Sequence, residues 1–155
     1  MALLLPEKSE RHDASPDTRE GRGQHVRVIT FGTFDLFHIG HLNILKRAKA
    51  LGDCLIVGVS SDELNWRKKG VRPVFPLAER LALVAGTRFV DEVFVEESLE
   101  LKGLYIRRHQ ADTLVMGDDW AGKFDHFSPQ CEVVYLPRTP VISSSDIRSQ
   151  LREAS

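Results

Sequence analysis

The stretch "ITFGTFDLFHIGHL", residues 29–42, joins two kinds of hydrophobic pattern within one short segment. A β-type apolar run, Val28, Ile29, Thr30 and Phe31, breaks at Gly32, and a helical pattern resumes from Ile39 to Leu51. His38 and His41 therefore fall where a strand feeds a helix. The free N–H groups and dipole of a helix start make such a turn a common place to hold a phosphate.

The same alternation continues in both directions. Apolar runs at 26–31 (VRVITF), 54–60 (CLIVGVS), 90–95 (VDEVFV), 112–117 (DTLVMG) and 131–137 (CEVVYLP) read as strands with helical stretches between them. Leu42, Leu45, Ala48 and Leu51 form one face of a helix that ends at Gly52. Pro76 reads as the start of a second helix, with Leu77, Leu81, Val84 and Ala85 facing inward. A third helix falls over residues 97–108, and "SSSDIRSQLR" at 143–152 supplies the last. This order predicts an α/β fold: a doubly wound, Rossmann-like, five-stranded parallel sheet with helices on both faces, its ligand beyond the carboxyl ends of the strands. The length of 155 residues suits a single domain.

Composition narrows the function classes. With 21 basic and 22 acidic side chains the formal charge is −1, so nothing global draws the chain to nucleic acid or to an anionic membrane. Cys54 and Cys131, each in or beside an apolar run, read as buried thiols of a reducing compartment rather than a disulfide framework or a zinc site. No stretch approaches the ~20 apolar residues that span a bilayer. "ALLL" at residues 2–5 is too short for a signal sequence and has no basic segment before it, so a cytoplasmic protein is expected. Residues 6–25 mix charges and have almost no large apolar side chains. Residues 1–25 are accordingly read as a flexible tail ahead of a domain at 26–155.

Four segments carry chemistry. In "GTFDLFHIGH" (32–41), Gly32 permits a sharp turn off the strand, Gly40 lets backbone approach a ligand, and His38 and His41 can donate to an anion. Singly, each histidine reads equally as a surface or core residue, and a zinc pair on a helix would be four apart with a third ligand. In "PRTPVISSSDIR" (137–148), Arg138 and three serines precede an amphipathic helix, which makes either a second anion cradle or an N-cap with spare hydroxyls. "MGDDWAGKFD" (116–125) follows a strand, and its paired carboxylates suit a metal, a ribose hydroxyl, a base amino group or simply a turn. "NWRKKGVRP" (65–73) concentrates Arg67, Lys68, Lys69 and Arg72 in what reads as a solvated loop or a phosphate-holding segment.

The first of these segments matches in full the pattern Gly-x-Phe-Asp-x-x-His-x-Gly-His and so resembles the cytidylyltransferase group of the nucleotidylyltransferase superfamily. From Val26 to Leu151 the chain is similar, through "MGDDWAGKFD" and "CEVVYLPRT", to the members that act on glycerol 3-phosphate. The resemblance implies that His38, His41, Lys68 and Arg138 are catalytic, the histidines stabilising charge at the α-phosphate. It implies nucleotide contacts from Gly32, Thr33, Phe34, Gly40, Gly117, Asp119, Thr139, Ile142, Ser143, Ser144 and Ser145, with Asp35 inclining the choice toward CTP. Lys68, Arg80 and Lys102 match positions that hold the acceptor, and Arg88 matches an arginine of the active site or dimer. The second segment departs from the group's Arg-Thr-x-Gly-Ile-Ser-Thr-Thr motif: Val141 replaces the glycine, where φ > 0 is now costly, and Ser144 and Ser145 replace the threonines. Mg²⁺ on the triphosphate and a homodimer are implied with no nucleic-acid partner and no membrane insertion; no metal ligands are identifiable.

The reaction so implied is CMP transfer from CTP to a phosphate monoester, sn-glycerol 3-phosphate in the first instance. Rival expectations are a related enzyme using ATP or CTP with a sugar phosphate, phosphocholine, phosphoethanolamine or FMN, and a nucleotide-binding regulator without turnover.

Overall fold

The computed structural model describes residues 25–138 and 143–154. The tail expected at residues 1–25 lies almost wholly outside the described residues, as do Thr139, Val141 and Ile142. Five parallel strands, β1 (Arg27–Gly32), β2 (Cys54–Ser60), β3 (Glu92–Glu96), β4 (Thr113–Gly117) and β5 (Glu132–Leu136), lie in the order β3-β2-β1-β4-β5. The order reverses between β1 and β4. There the connections leave toward opposite faces of the sheet and open a crevice beyond Gly32 and Gly117.

Both faces are covered, which is why the strands are apolar runs and not alternating ones. Side chains of successive residues part to opposite sides. Val28, Leu55, Val57 and Val59 join a core with Leu45 and Ala48 of α1 (Ile39–Lys49) and Leu81 and Val84 of α3 (Leu77–Ala85). Ile29, Phe31, Ile56, Leu114 and Met116 join a second core with Tyr105 and Ile106 of α4 (Lys102–Arg108). The predicted doubly wound architecture is therefore present, with helices on both faces.

Several local expectations differ. The basic run at 65–73 is a loop only from Gly70, which precedes Arg72: Arg67, Lys68 and Lys69 belong to α2 (Asp62–Lys69), which is capped by Ser61, whose side chain accepts from the Leu64 amide at 3.0 Å, and ends at Gly70 in the left-handed region (φ 65°). Acidic residues in its first turn and basic ones in its last suit the helix dipole. Pro76 is the N-cap of α3 and not its first helical residue. The third helical segment is a single 3₁₀ turn, Leu99–Leu101, followed by α4. Leu51 lies beyond α1 and is exposed, so the inner face of that helix rests on Leu45 and Ala48. The last helix, α5 (Ser144–Glu153), buries none of its residues.

Gly58, in the middle of β2, shows how tightly the second core closes. A Cβ there would stand 2.7 Å from both the Phe31 and the Phe94 rings, which sit edge to face at 5.8 Å. Gly58→Ala is expected to lower the free energy of unfolding by about 1–3 kcal/mol, the usual range for overpacking, read as a reduced midpoint in urea with an unchanged slope.

Candidate active site

The nine residues between β1 and the second turn of α1 form the crevice wall, and their conformation does not rest on the glycines. The left-handed positions are Phe34 (φ 54°) and Leu36 (φ 49°). Gly32 is needed for space, because a Cβ would lie 2.8 Å from the Phe34 ring. That ring belongs to the core, so Phe34 has only its backbone to offer a nucleotide.

His38 and His41 start α1 by capping each other. The Nδ1 of His38, the N-cap residue, accepts from the Gly40 amide at 3.0 Å, and the Nδ1 of His41 accepts from the His38 amide at 3.2 Å. This is a capping box with imidazoles in place of the usual hydroxyl and carboxylate. An Nδ1 that accepts cannot carry a proton, so the neutral rings hold their N–H at Nε2. The rings lie 4.0 Å apart, and His41 is packed beside Phe34 and Phe37. Burial, and then the charge of Arg138, lowers the His38 pKa. Burial and then His38 bring His41 down to about 4 despite the opposing charge of Asp35. At neutral pH the pair is thus two uncharged Nε2–H donors.

Arg138, just past β5 and exposed, is near enough to influence both His38 and Asp146 of α5. Ser143 caps α5, accepting from the Asp146 amide at 3.1 Å while the Asp146 carboxylate accepts from the Ser143 amide at 2.9 Å. Ser144 donates its hydroxyl to the Asp35 carbonyl at 2.7 Å, and Ser145 is exposed. The start of α5 is thereby brought to the start of the 33–41 turn. At the end of β4, Gly117 leads into a 3₁₀ turn, Asp118–Trp120, and a Cβ on Gly117 would stand 2.7 Å from an oxygen of Asp119.

On the other side of β1, Lys102 is 4% exposed, paired with the buried Glu96, and centred 4.4 Å above the Phe31 ring. Glu96 also accepts from the Ser60 hydroxyl at 3.4 Å. Lys68 approaches the same group: burial lowers its pKa, Glu96 opposes that, and Lys102 reinforces it. Lys102 is thus paired with Glu96, and Lys68 is near enough to feel the charge of both. A cavity of about 680 Å³ is lined by Ser61, Asp62, Arg67, Arg72, Leu77 and Ser98 among others; neither the histidines nor Lys68, Glu96 and Lys102 line it.

Arg80 is fully buried. Expected to hold the acceptor, it donates from its guanidinium to the carbonyls of Phe75 (2.9 Å), Thr33 (2.9 Å) and Ser60 (2.7 Å) and to the Asp62 carboxylate (2.6 Å). It positions the ends of β1 and β2 instead. Thr33 likewise spends its hydroxyl on Asn65, at 2.8 Å. Arg88 is exposed, over the Phe89 ring.

Asp35 is 3% exposed and accepts from the amides of Val74 (2.7 Å), Phe75 (2.9 Å) and Leu36 (3.1 Å) and from the Arg148 guanidinium. Burial would raise its pKa, but the Phe75 and Val74 amides and Arg148 outweigh it and hold the carboxyl below its ordinary value. With its oxygens so committed, Asp35 organises the turn and does not read a base. Asn65 and Arg148 stand at the ends of two of the motif segments without a role assigned to them, and Glu96 lies outside all four. Only the helix register of Arg148, one turn after Ser144, could have pointed to its side of α5.

A crevice at a strand-order reversal, flanked by two helix starts and uncharged donors, defines a nucleotide-binding α/β domain. The chain belongs to the cytidylyltransferase-like family, whose model matches residues 29–150. It is 49% identical over 126 residues to a protein named glycerol-3-phosphate cytidylyltransferase from Bacillus subtilis, covering 81% of this chain and 96% of that one. It is 38% identical over 96 residues to an FAD synthase of Pyrococcus abyssi, covering 62% of this chain and 65% of that one. Among solved structures, a lipopolysaccharide core biosynthesis protein of Thermoplasma volcanium superposes with a TM-score of 0.63 at 26% identity, over 74% of this chain and 98% of that one.

Two consequences can be measured. Arg80→Met leaves Asp62 and three carbonyls without their donor and is expected to cost about 3–5 kcal/mol of stability, as for a broken buried pair, by urea denaturation. For His41 the folded pKa lies below the unfolded one, so the unfolded state binds the proton more readily between about pH 6.5 and pH 4. Stability should fall as pH drops through that window, and His41→Asn, which keeps an acceptor at the cap without a titrating ring, should make the fall shallower in thermal melts.

Proposed function

We infer that this chain transfers CMP from CTP to sn-glycerol 3-phosphate, forming CDP-glycerol and releasing pyrophosphate. The observation that carries the reading is the mutual cap of His38 and His41 beside Arg138, which leaves two Nε2–H donors in the crevice. The similarity to glycerol-3-phosphate cytidylyltransferase along most of the chain supports the choice of nucleotide and acceptor.

The chemistry asks for no protein nucleophile. A phosphate monoester, with a second pKa near ~6, is largely dianionic at pH 7 and attacks without a general base. Its oxygen forms a bond to the α-phosphorus while the bond to the bridging oxygen of the β-phosphate breaks, and pyrophosphate departs with the electron pair. The difficulty is bringing two anions into line and neutralising the charge that develops. Donors suited to that task flank the crevice: the two imidazoles, Arg138, and the starts of α1 and α5. A helix end alone contributes about 0.3–2 kcal/mol, so catalysis requires several such groups acting in a site with little water. Lys68, with Lys102 held ready by Glu96, supplies the positive charge for the acceptor. Among the described residues no three His, Cys, Asp or Glu side chains gather as a metal cage. Mg²⁺ accordingly enters the proposal only as the counter-ion of the triphosphate, and no step is assigned to it. A homodimer remains part of the proposal through the family likeness. No helix among the described residues is long and apolar enough to cross a membrane.

The similarity to FAD synthase favours one second reading, adenylyl transfer from ATP to FMN. Pyrophosphate release over a panel of CTP and ATP with glycerol 3-phosphate, FMN, phosphoethanolamine and sugar phosphates separates the two. His38→Asn retains a good N-cap but lacks the Nε2–H. It should fold with a Tm near that of the parent and lose at least ~100-fold in kcat, the loss typical of one oxyanion donor. Full turnover in that variant would remove the role assigned to the histidine.

A further inference from the structure

The helix α5 carries Ser143, Ser144 and Ser145 to the crevice, yet none of its residues is buried. Burial in the core therefore does not fix its position, and polar contacts to Asp35 take that part. Ser144 holds the Asp35 carbonyl, and one turn later Arg148 holds the Asp35 carboxylate. A carboxylate that is 3% exposed needs a cation to offset its desolvation, and Arg148, 29% exposed, is the cation that meets it. The same carboxylate receives the Val74 and Phe75 amides, which stand in the segment between α2, with Lys68, and α3. One side chain thus ties the nucleotide wall, the acceptor-side segment and the last helix together.

We propose that Arg148 is a positioning residue for nucleotide binding: its ion pair with Asp35 latches α5 in the orientation that presents the serine cluster to the triphosphate. The inference rests on the functional reading above in taking CTP as the ligand. Arg148 touches no reacting atom. Its loss should therefore weaken binding of ground state and transition state alike, raising KM while leaving kcat nearly intact. Lysine keeps the charge but not the planar fork, so it should restore part of the effect.

The test uses the full chain as parent, Arg148→Met and Arg148→Lys, with CTP Kd from calorimetry alongside kcat and the CTP KM. Arg148→Met is expected to raise both Kd and KM for CTP roughly tenfold, the scale of one lost charge-assisted hydrogen bond. The change in kcat should stay below about threefold, with Arg148→Lys intermediate in Kd. A CTP Kd in Arg148→Met equal to the parent's overturns the latch, and so does a tenfold loss confined to kcat. A lowered Tm with unchanged Kd would show a purely structural contact and also overturns it. If the parent binds CTP but releases no pyrophosphate with any acceptor, the functional reading fails while the Kd comparison still decides the latch. If it binds ATP in place of CTP, the choice of nucleotide fails and the same comparison is made with ATP. A parent that binds neither overturns both.

Discussion

The arrangement of the crevice depends on a single buried guanidinium. Arg80 reaches from α3 through the protein to the carbonyls at the ends of β1 and β2 and to the first residue of α2. Strand ends at the edge of a parallel sheet leave carbonyls without ladder partners, and a chain reversing direction there has no regular way to satisfy them. Arg80 supplies those bonds from one rigid, permanently charged fork, and Asp62 balances the charge. Thr33, at the head of the crevice wall, is fixed by its carbonyl to Arg80 and by its hydroxyl to Asn65. The left-handed turns at Phe34 and Leu36, unfavourable for residues with large side chains, are sustained by this frame and by Asp35.

Strain, burial and charge therefore concentrate in the turn after β1 for related reasons. Asp35 and Arg80 together bind the 33–36 turn to the 74–80 segment from both sides. What they enclose is a helix start whose caps are imidazoles. Hydroxyl or carboxylate caps would finish the helix as well, but would leave no outward N–H. Imidazole has two nitrogens, so that one serves the fold and the other keeps its N–H. The opposite solution operates at α5, where Ser143 and Asp146 cap each other, Ser144 spends its hydroxyl on the Asp35 carbonyl and Ser145 remains exposed.

The sheet was legible because its strands are buried on both faces and so are continuous apolar runs, with CLIVGVS matched residue for residue by β2. Helix α2 was obscured because it has almost no apolar periodicity: only Leu64 and Asn65 are buried, and its signals are the Ser61 cap and Gly70. The histidine pair was legible from spacing, but its tautomers were not, since they follow from the hydrogen bonds that each Nδ1 accepts. Arg80 was misread for a plain physical reason. A charged residue in sequence looks like a ligand contact unless its partners are visible, and three of the four here are backbone carbonyls, which no side-chain motif records. Arg148 was hidden in the same way, its partner lying 113 positions away.

The mutual cap of His38 and His41 takes proton transfer by the two rings out of the chemistry of the crevice. Rings whose inner nitrogens are occupied by the backbone neither take a proton from the incoming phosphate nor give one to the departing pyrophosphate, in the forward sense or in reverse. Like any catalyst, such a site speeds synthesis and pyrophosphorolysis alike and gives preference to neither. Net flow toward the activated ester is then decided outside the protein, by whatever hydrolysis removes pyrophosphate and whatever transferase consumes the nucleotide-linked product.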